Sequence, residues 1–253
     1  MEKVVVVLPA YNAANTLEPT LADLDSTGVD EIIVVDDAST DNTVEIARRL
    51  PVTLIQHERN RGYGANQKTC YIEALKSEAT IIVMVHPDYQ YDPSLVPEIV
   101  APIINLEADI VLGSRMLRKS AFKDGMPWWK FIANKSLTWL ENKVFGLSLS
   151  EYHTGYRAYS RHALESVNFY SNSDGFVFDQ EIIAQFVWQN LKISEVPVPV
   201  RYFPEASSAG FVESTIYGIK ILWLLVIYGL HKFGIVKSTR FSNVHGRYES
   251  SPK

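Results

Sequence analysis

The chain has 253 residues, 47% of them apolar and 21% charged. This is ordinary globular usage, which excludes a disordered, collagen-like or coiled-coil chain and leaves room for one large domain or two small ones. A single cysteine, Cys70, excludes an internal disulfide framework and fits a reducing compartment. The net charge of -5 is uneven: residues 211–253 carry +4 and the remaining body -9, an acidic balance that argues against a nucleic-acid partner.

In chain order, Val4–Leu8 is an apolar, β-branched run, as expected of a strand buried on both faces. It is too short for a secretory signal core, so secretion is not expected. Asn15 and Glu18 have helix-cap spacing, and Leu17, Leu21 and Leu24 follow at helical period. The pattern then predicts a strand over 31–35 ending in Asp36-Asp37, a helix over 43–50, a strand over 52–56 and a helix over 65–77. A fourth strand over 80–85 leads into His86-Pro87-Asp88, a helix over 93–105 starts at Asp92-Pro93, and a fifth strand covers 109–112. Beyond it lie a long helix over 128–145, a loop and strand over 151–160 and a helix over 179–189. Residues 192–202 read as an edge strand because of Pro197 and Pro199.

Such alternation predicts an α/β, Rossmann-like fold with a mostly parallel central sheet and helices on both faces. Ligands of such sheets bind at the carboxyl ends of the strands. The segments there are 9–12, 36–37, 57–66, 86–92 and 113–115, which are mostly polar, Gly or Pro. A dinucleotide-binding domain is disfavoured, because the turn after the first strand is Pro9-Ala10-Tyr11-Asn12 and lacks G-x-G-x-x-G; no Walker A sequence occurs.

Six segments occur in order: Leu8 to Asn12, Val34 to Thr43, Asn60 to Ala65, Gly113-Ser114-Arg115, Thr154 to Tyr159 and Phe178 to Ile182. Together they resemble the family 2 glycosyltransferases over residues 3–205, and most nearly the polyprenyl-phosphate sugar transferases of the dolichol-phosphate mannose synthase type. The resemblance implies a GT-A fold and transfer of a hexosyl unit from a UDP- or GDP-linked sugar. It implies a nucleotide-sugar site made of Pro9, Ala10, Tyr11, Asn12, Asp36, Asp37, Gly64, Lys68, His86 and Asp88, with Asp36 on the base. Asp36 and Asp37 also suit a turn and helix cap, and Ser39, Asp41 and Thr43 read as local capping groups.

His86-Pro87-Asp88-Tyr89-Gln90 stands where the family carries D-x-D. The implied cofactor is a divalent cation, Mn²⁺ or Mg²⁺, which neutralises a leaving diphosphate; its candidate ligands are Asp88, Gln90 and His86. His86 replaces a carboxylate. Imidazole would favour Mn²⁺ over Mg²⁺; alternatively His86 touches ribose or phosphate, or the chain is a degenerate, non-catalytic binder. Arg115 suits bidentate phosphate binding. Lys130 and Lys135 follow on the next helix, and Lys135 is the better match to the basic position of the lipid-phosphate enzymes. Glu151 and His153 are candidate bases for a hydroxyl acceptor, whereas a phosphate acceptor needs none. The catalytic candidates are therefore Glu151, Arg115 and Lys135. Asp179 and Glu181, at a helix start, read as mainly structural. The segment 203–208 falls where many relatives have a basic closing loop; with Arg201 the only basic residue near it, closure is not expected.

The organisation expected is a catalytic unit over 1–210, an apolar, amphipathic helix within 211–237 and a polar basic tail over 238–253 that is disordered. Ile221–Leu230 is an apolar run between Lys220 and His231-Lys232, too short on its own to span a membrane, which takes about 20 residues. Trp223 and Tyr228 suit an interfacial helix, with a buried core helix as the alternative. Trp128, Trp129, Phe131 and Trp139 offer a second membrane-facing surface or core packing. Apolar helix plus basic tail predicts a peripheral protein on the cytoplasmic face of a membrane. The preferred acceptor is a polyprenyl phosphate, and the alternative is a soluble saccharide or protein hydroxyl.

Overall fold

The computed structural model describes residues 2–118, 126–201 and 210–242. The expectations for 203–208 and for the tail beyond 242 lie outside the described residues. The strands are β1 (Val4–Ala10), β2 (Glu31–Asp36), β3 (Thr53–Gln56), β4 (Ile81–Met84), β5 (Ile110–Ser114), β6 (Arg157–Ser160) and β7 (Ile193–Pro197). They form a seven-stranded sheet in the order β3-β2-β1-β4-β6-β5-β7. Every pairing is parallel except those of β6, which runs antiparallel between β4 and β5. The helices are α1 (Leu17–Asp25), α2 (Thr43–Ala47), α3 (Tyr63–Lys76), α4 (Val96–Ile104), α5 (Trp128–Phe145), α6 (Arg161–Glu165), α7 (Phe178–Trp188) and α8 (Phe211–Lys232).

Alternation along β1 explains the two layers. Val5 and Val7 enter one core with Tyr71, Ile182 and Ile221, from α3, α7 and α8. Val6, Leu8 and Ala10 enter the other with Leu17, Leu21, Leu24 and Ile99, from α1 and α4. Each fully buried Val or Leu contributes about 1.5–3 kcal/mol. β2 and β4 flank β1 on opposite sides, so strand order reverses between β1 and β4, the place where open α/β sheets leave a crevice.

Several element ends differ from the sequence pattern. α1 starts at Leu17, and Asn15 does not cap it; Thr16 occupies the cap position and turns its hydroxyl to the carbonyls of Ala13 and Pro87. α8 is longer than its apolar run suggests: the 21 residues Val212–Lys232 have the length and hydropathy to cross a membrane, which corrects the argument from length. Along α8, Ile221, Leu224, Leu225 and Tyr228 pack into the core, while Val212, Ile216, Ile219, Trp223 and Val226 form an exposed stripe. α8 is therefore a core helix on one face and an exposed apolar helix on the other. α5 is mixed on both sides: it buries Asn134, Thr138 and Glu141 together with Phe145 and packs Leu137, Leu140 and Val144 against the core, while Trp128, Ile132 and Trp139 are exposed.

Candidate active site

A cavity of about 730 Å³ opens at the β1–β4 crevice. It is lined by Pro9 near the end of β1, by Tyr11 and Asn12 after it, by Asp37 after β2, and by Asn60 and Gly62 just before α3 and Tyr63 at its start. His86, Asp88 and Gln90 after β4, Gly155 before β6 and residues 174–176 before α7 also line it. Asn12, Ala38 and Tyr89, in the turns after β1, β2 and β4, have φ of 52°, 58° and 59°. Left-handed backbone costs a non-glycine residue roughly 1–2 kcal/mol, so such turns need support. Asn12 Oδ1 accepts the Thr40 N–H at 2.8 Å, Asn12 N–H donates to Ser39 Oγ at 2.9 Å, and Ala13 N–H donates to Thr43 Oγ1 at 2.8 Å. Ser39 and Thr43 thus fasten the two turns together.

The Asp pair divides its work. Asp37 accepts the N–H groups of Arg61 (2.8 Å) and Gly62 (2.9 Å) and sits 2.6 Å from His57 Nδ1, so it shapes the 60–62 turn. Asp36 is fully buried; its Oδ2 accepts the Ser39 N–H at 3.0 Å, and its Oδ1 has no hydrogen-bond partner among the described residues. Ala10 is buried in the sheet. Gly64 and Lys68 lie behind the lining and hold the 172–174 segment. A Cβ on Gly64 would come 2.5 Å from the Ser173 carbonyl oxygen, and Lys68 Nζ pairs with Asp174 Oδ1 at 2.7 Å.

Behind the cavity runs a buried polar chain. Arg157 Nη1 on β6 lies 2.6 Å from Asp179 Oδ1 on α7. Asp179 also accepts Gln67 Nε2 at 2.9 Å and the Tyr63 hydroxyl at 2.8 Å. Tyr63 Oη lies 3.1 Å from His86 Nε2. Burial holds the Tyr63 phenol well above its usual pKa, reinforced by Asp179, so it stays a donor. Burial pushes the His86 imidazole down against the pull of Asp88 and Asp179, and pushes the Asp88 carboxyl up against the pull of His86. Sequence reasoning missed this hub. Its signal was the polar run Asp179-Gln180-Glu181 opening an otherwise apolar helix.

The other three predicted residues lie beside α5, outside the lining of that cavity. The Arg115 guanidinium pairs with fully buried Glu151: Nε donates to Oε1 at 2.9 Å, and the Arg115 backbone N–H donates to Oε2 at 2.9 Å. Arg115 Nη2 also donates to the His153 carbonyl at 2.7 Å, and Asn134 Nδ2 to Glu151 Oε1 at 2.8 Å. Both Glu151 oxygens are engaged, so it could act as a base only after releasing Arg115. Lys130 Nζ lies 5.3 Å from the centre of the Trp129 ring, and burial and then the like charge of Arg115 lower its pKa. Lys135 is exposed, with Nζ 5.5 Å from the centre of the Phe131 ring. Lys130 is thus near enough to Arg115 to feel its charge. His153 Nε2 lies 3.2 Å from buried Glu141 Oε2, and its ring meets Tyr217 of α8 edge-on.

Among the described residues no cluster of three or more His, Cys, Asp or Glu could hold a metal. His86 and Asp88, adjoining in the cavity with Gln90 beside them, offer an imidazole and a carboxylate. That set fits a cation whose shell is completed by substrate phosphate oxygens and does not fit a closed protein cage.

The sequence profile of Glycosyl transferase family 2 matches residues 5–167. An uncharacterized protein of Methanocaldococcus jannaschii is 33% identical over 89% of this chain and 92% of its own length. A UDP-N-acetylglucosamine–dolichyl-phosphate N-acetylglucosaminyltransferase of Methanococcus voltae is 28% identical over 90% and 96%. Among solved structures, glucosyl-3-phosphoglycerate synthase of Mycobacterium tuberculosis superimposes with a TM-score of 0.68 at 20% identity, covering 94% of this chain and 82% of that one. That neighbour has been solved with Mn²⁺ and UDP and also with Mg²⁺ and UDP.

Proposed function

This chain belongs to glycosyl transferase family 2 and is a glycosyltransferase with the GT-A fold; we propose that it moves a hexosyl unit from a UDP- or GDP-linked sugar in the β1–β4 cavity to a polyprenyl phosphate beside Arg115 and Lys130. The observation that carries this reading is the pairing on α5 of a buried polar contact with exposed aromatics: Asn134 meets Glu151, which pairs with Arg115, and Trp128 and Trp139 are 65% and 62% accessible. A lipid phosphate presents both chemistries at once: an anionic head for two cations and a hydrocarbon tail for an apolar surface. The dolichyl-phosphate relative supports the same acceptor class.

A phosphate acceptor is already ionised, so it needs no base, and Glu151 serves to orient Arg115. Asp88 and His86, with Gln90 beside them, would hold a divalent cation, which when bound neutralises the departing nucleoside diphosphate. The turns after β1 and β2, tied together through Asn12 and Ser39, shape the nucleotide pocket, and we assign nucleoside recognition to Asp37, which lines it, with Asp36 buried behind. α8 is fastened to the core by Ile221, Leu224, Leu225 and Tyr228. We therefore read it as lying in the membrane interface with its opposite stripe in lipid, and Lys220, Lys232 and Lys237 addressing the anionic cytoplasmic leaflet. The test is turnover of UDP- and GDP-sugars with Mn²⁺, offered detergent-solubilised dolichyl phosphate or soluble saccharides. Product on the lipid phosphate is expected; turnover only with a soluble acceptor sinks the proposal.

A further inference from the structure

We infer that Tyr63 is a positioning residue that presets His86 as a nitrogen ligand and so biases the cation site toward Mn²⁺ over Mg²⁺; this rests on the donor site proposed above. The argument is one of proton counting. A tyrosine hydroxyl has a single proton. Tyr63 donates it to Asp179 Oδ2 at 2.8 Å, a carboxylate whose other oxygen lies 2.6 Å from Nη1 of buried Arg157. Toward His86 the same oxygen can only accept, so His86 Nε2, 3.1 Å away, carries the ring proton. In a neutral imidazole Nδ1 then has the lone pair.

The ring orientation agrees with this. The Cδ2–Nε2 edge is turned to Gly155, where a Cβ would lie 2.6 and 3.0 Å from those atoms. Nδ1 is on the opposite edge, and His86 lines the donor cavity together with Asp88. Asp179, Tyr63 and His86 thus form the relay by which ligating histidines are usually held, a carboxylate fixing the tautomer from behind, here through a phenol. One imidazole in place of a carboxylate favours Mn²⁺ over Mg²⁺, which prefers an all-oxygen octahedral shell.

The test uses the full chain with Mn²⁺ and UDP, or GDP if UDP does not raise the melting temperature. Pulsed electron paramagnetic resonance of the bound Mn²⁺ should show nitrogen coupling in the wild type and none in His86→Asp, whose preference should move toward Mg²⁺. Tyr63→Phe should bind Mn²⁺ about ten- to a hundredfold more weakly, with a disturbed nitrogen signal. Nucleotide and Mn²⁺ bound without nitrogen coupling in the wild type overturns the inference but leaves the donor site standing. So does a Tyr63→Phe protein with wild-type Mn²⁺ affinity and spectrum. Should Tyr63→Phe fail to fold, the wild-type and His86→Asp spectra still decide. A chain that binds neither nucleotide removes the donor reading and this inference together.

Discussion

The donor cavity and the Arg115 cluster are built by opposite means. The cavity is assembled mostly from strand ends, so its chemistry sits in short contiguous motifs whose backbone is fixed by the sheet. The Arg115 cluster is assembled between the end of β5, the segment before β6 and one face of α5. Its members are chosen by which way a helix is rotated. The first kind of site tolerates little change at any position in its turns. The second can be retuned by moving one residue along a helix. The comparison teaches that the proposed nucleotide and acceptor sites are built from different elements, joined through Gly155 and His153 on one short segment.

The largest expected effect probes the cavity alone. Asp88→Ala should lower turnover about 10²–10³-fold, and chelation of divalent cations should do the same, with vesicle binding unchanged. Unaltered turnover would remove the motif assignment and break the separation. Next, Asp179→Ala should cost about 3–5 kcal/mol in denaturant unfolding, because it leaves the fully buried Arg157 without its carboxylate. A loss well below that would mean Arg157 finds another partner and the hub does not brace the cavity.

A smaller effect separates the two lysines. Lys130→Ala should reduce turnover with a lipid phosphate about ten- to a hundredfold, the worth of a charged hydrogen bond, without changing the thermal shift given by nucleotide. Lys135→Ala should leave detergent-phase turnover near wild type; the reverse ranking would mean that α5 presents its other side to the acceptor. The smallest concerns the membrane side. Lys232→Ala, at the exposed end of α8, should weaken flotation with anionic vesicles about fivefold, as expected of one basic residue near such a surface. It should have no effect on zwitterionic vesicles, and the difference should fade at high salt.

Much of the cavity was legible in the sequence because its motifs directly follow buried β-branched runs, and both signals are local. Pro9, Tyr11, Asn12, Asp37, His86, Asp88 and Gln90 all line it. Gly64 and Lys68 illustrate the limit: they sit in a motif-bearing segment, but what they touch, the 172–174 segment, lies more than a hundred residues away in the chain. Tyr63 and Asp179, which meet through a hydrogen bond spanning 116 positions, have the same cause. Neither residue type nor spacing announces a contact that only the packing of α7 against α3 creates.

By itself the sequence determined the alternation of strands and helices, the polar turns at the strand ends and the apolar character of α8, because periodicity and β-branching act within a few residues. Only the tertiary structure decided that β6 enters antiparallel between β4 and β5, that Lys130 feels the charge of Arg115, that Asn134 meets Glu151, and that α8 is buried on one face and bare on the other. The physical reason is that a helix's rotation and a strand's partner are set by the burial of whole faces against distant elements. That free energy belongs to the assembled core and to no single segment of the chain.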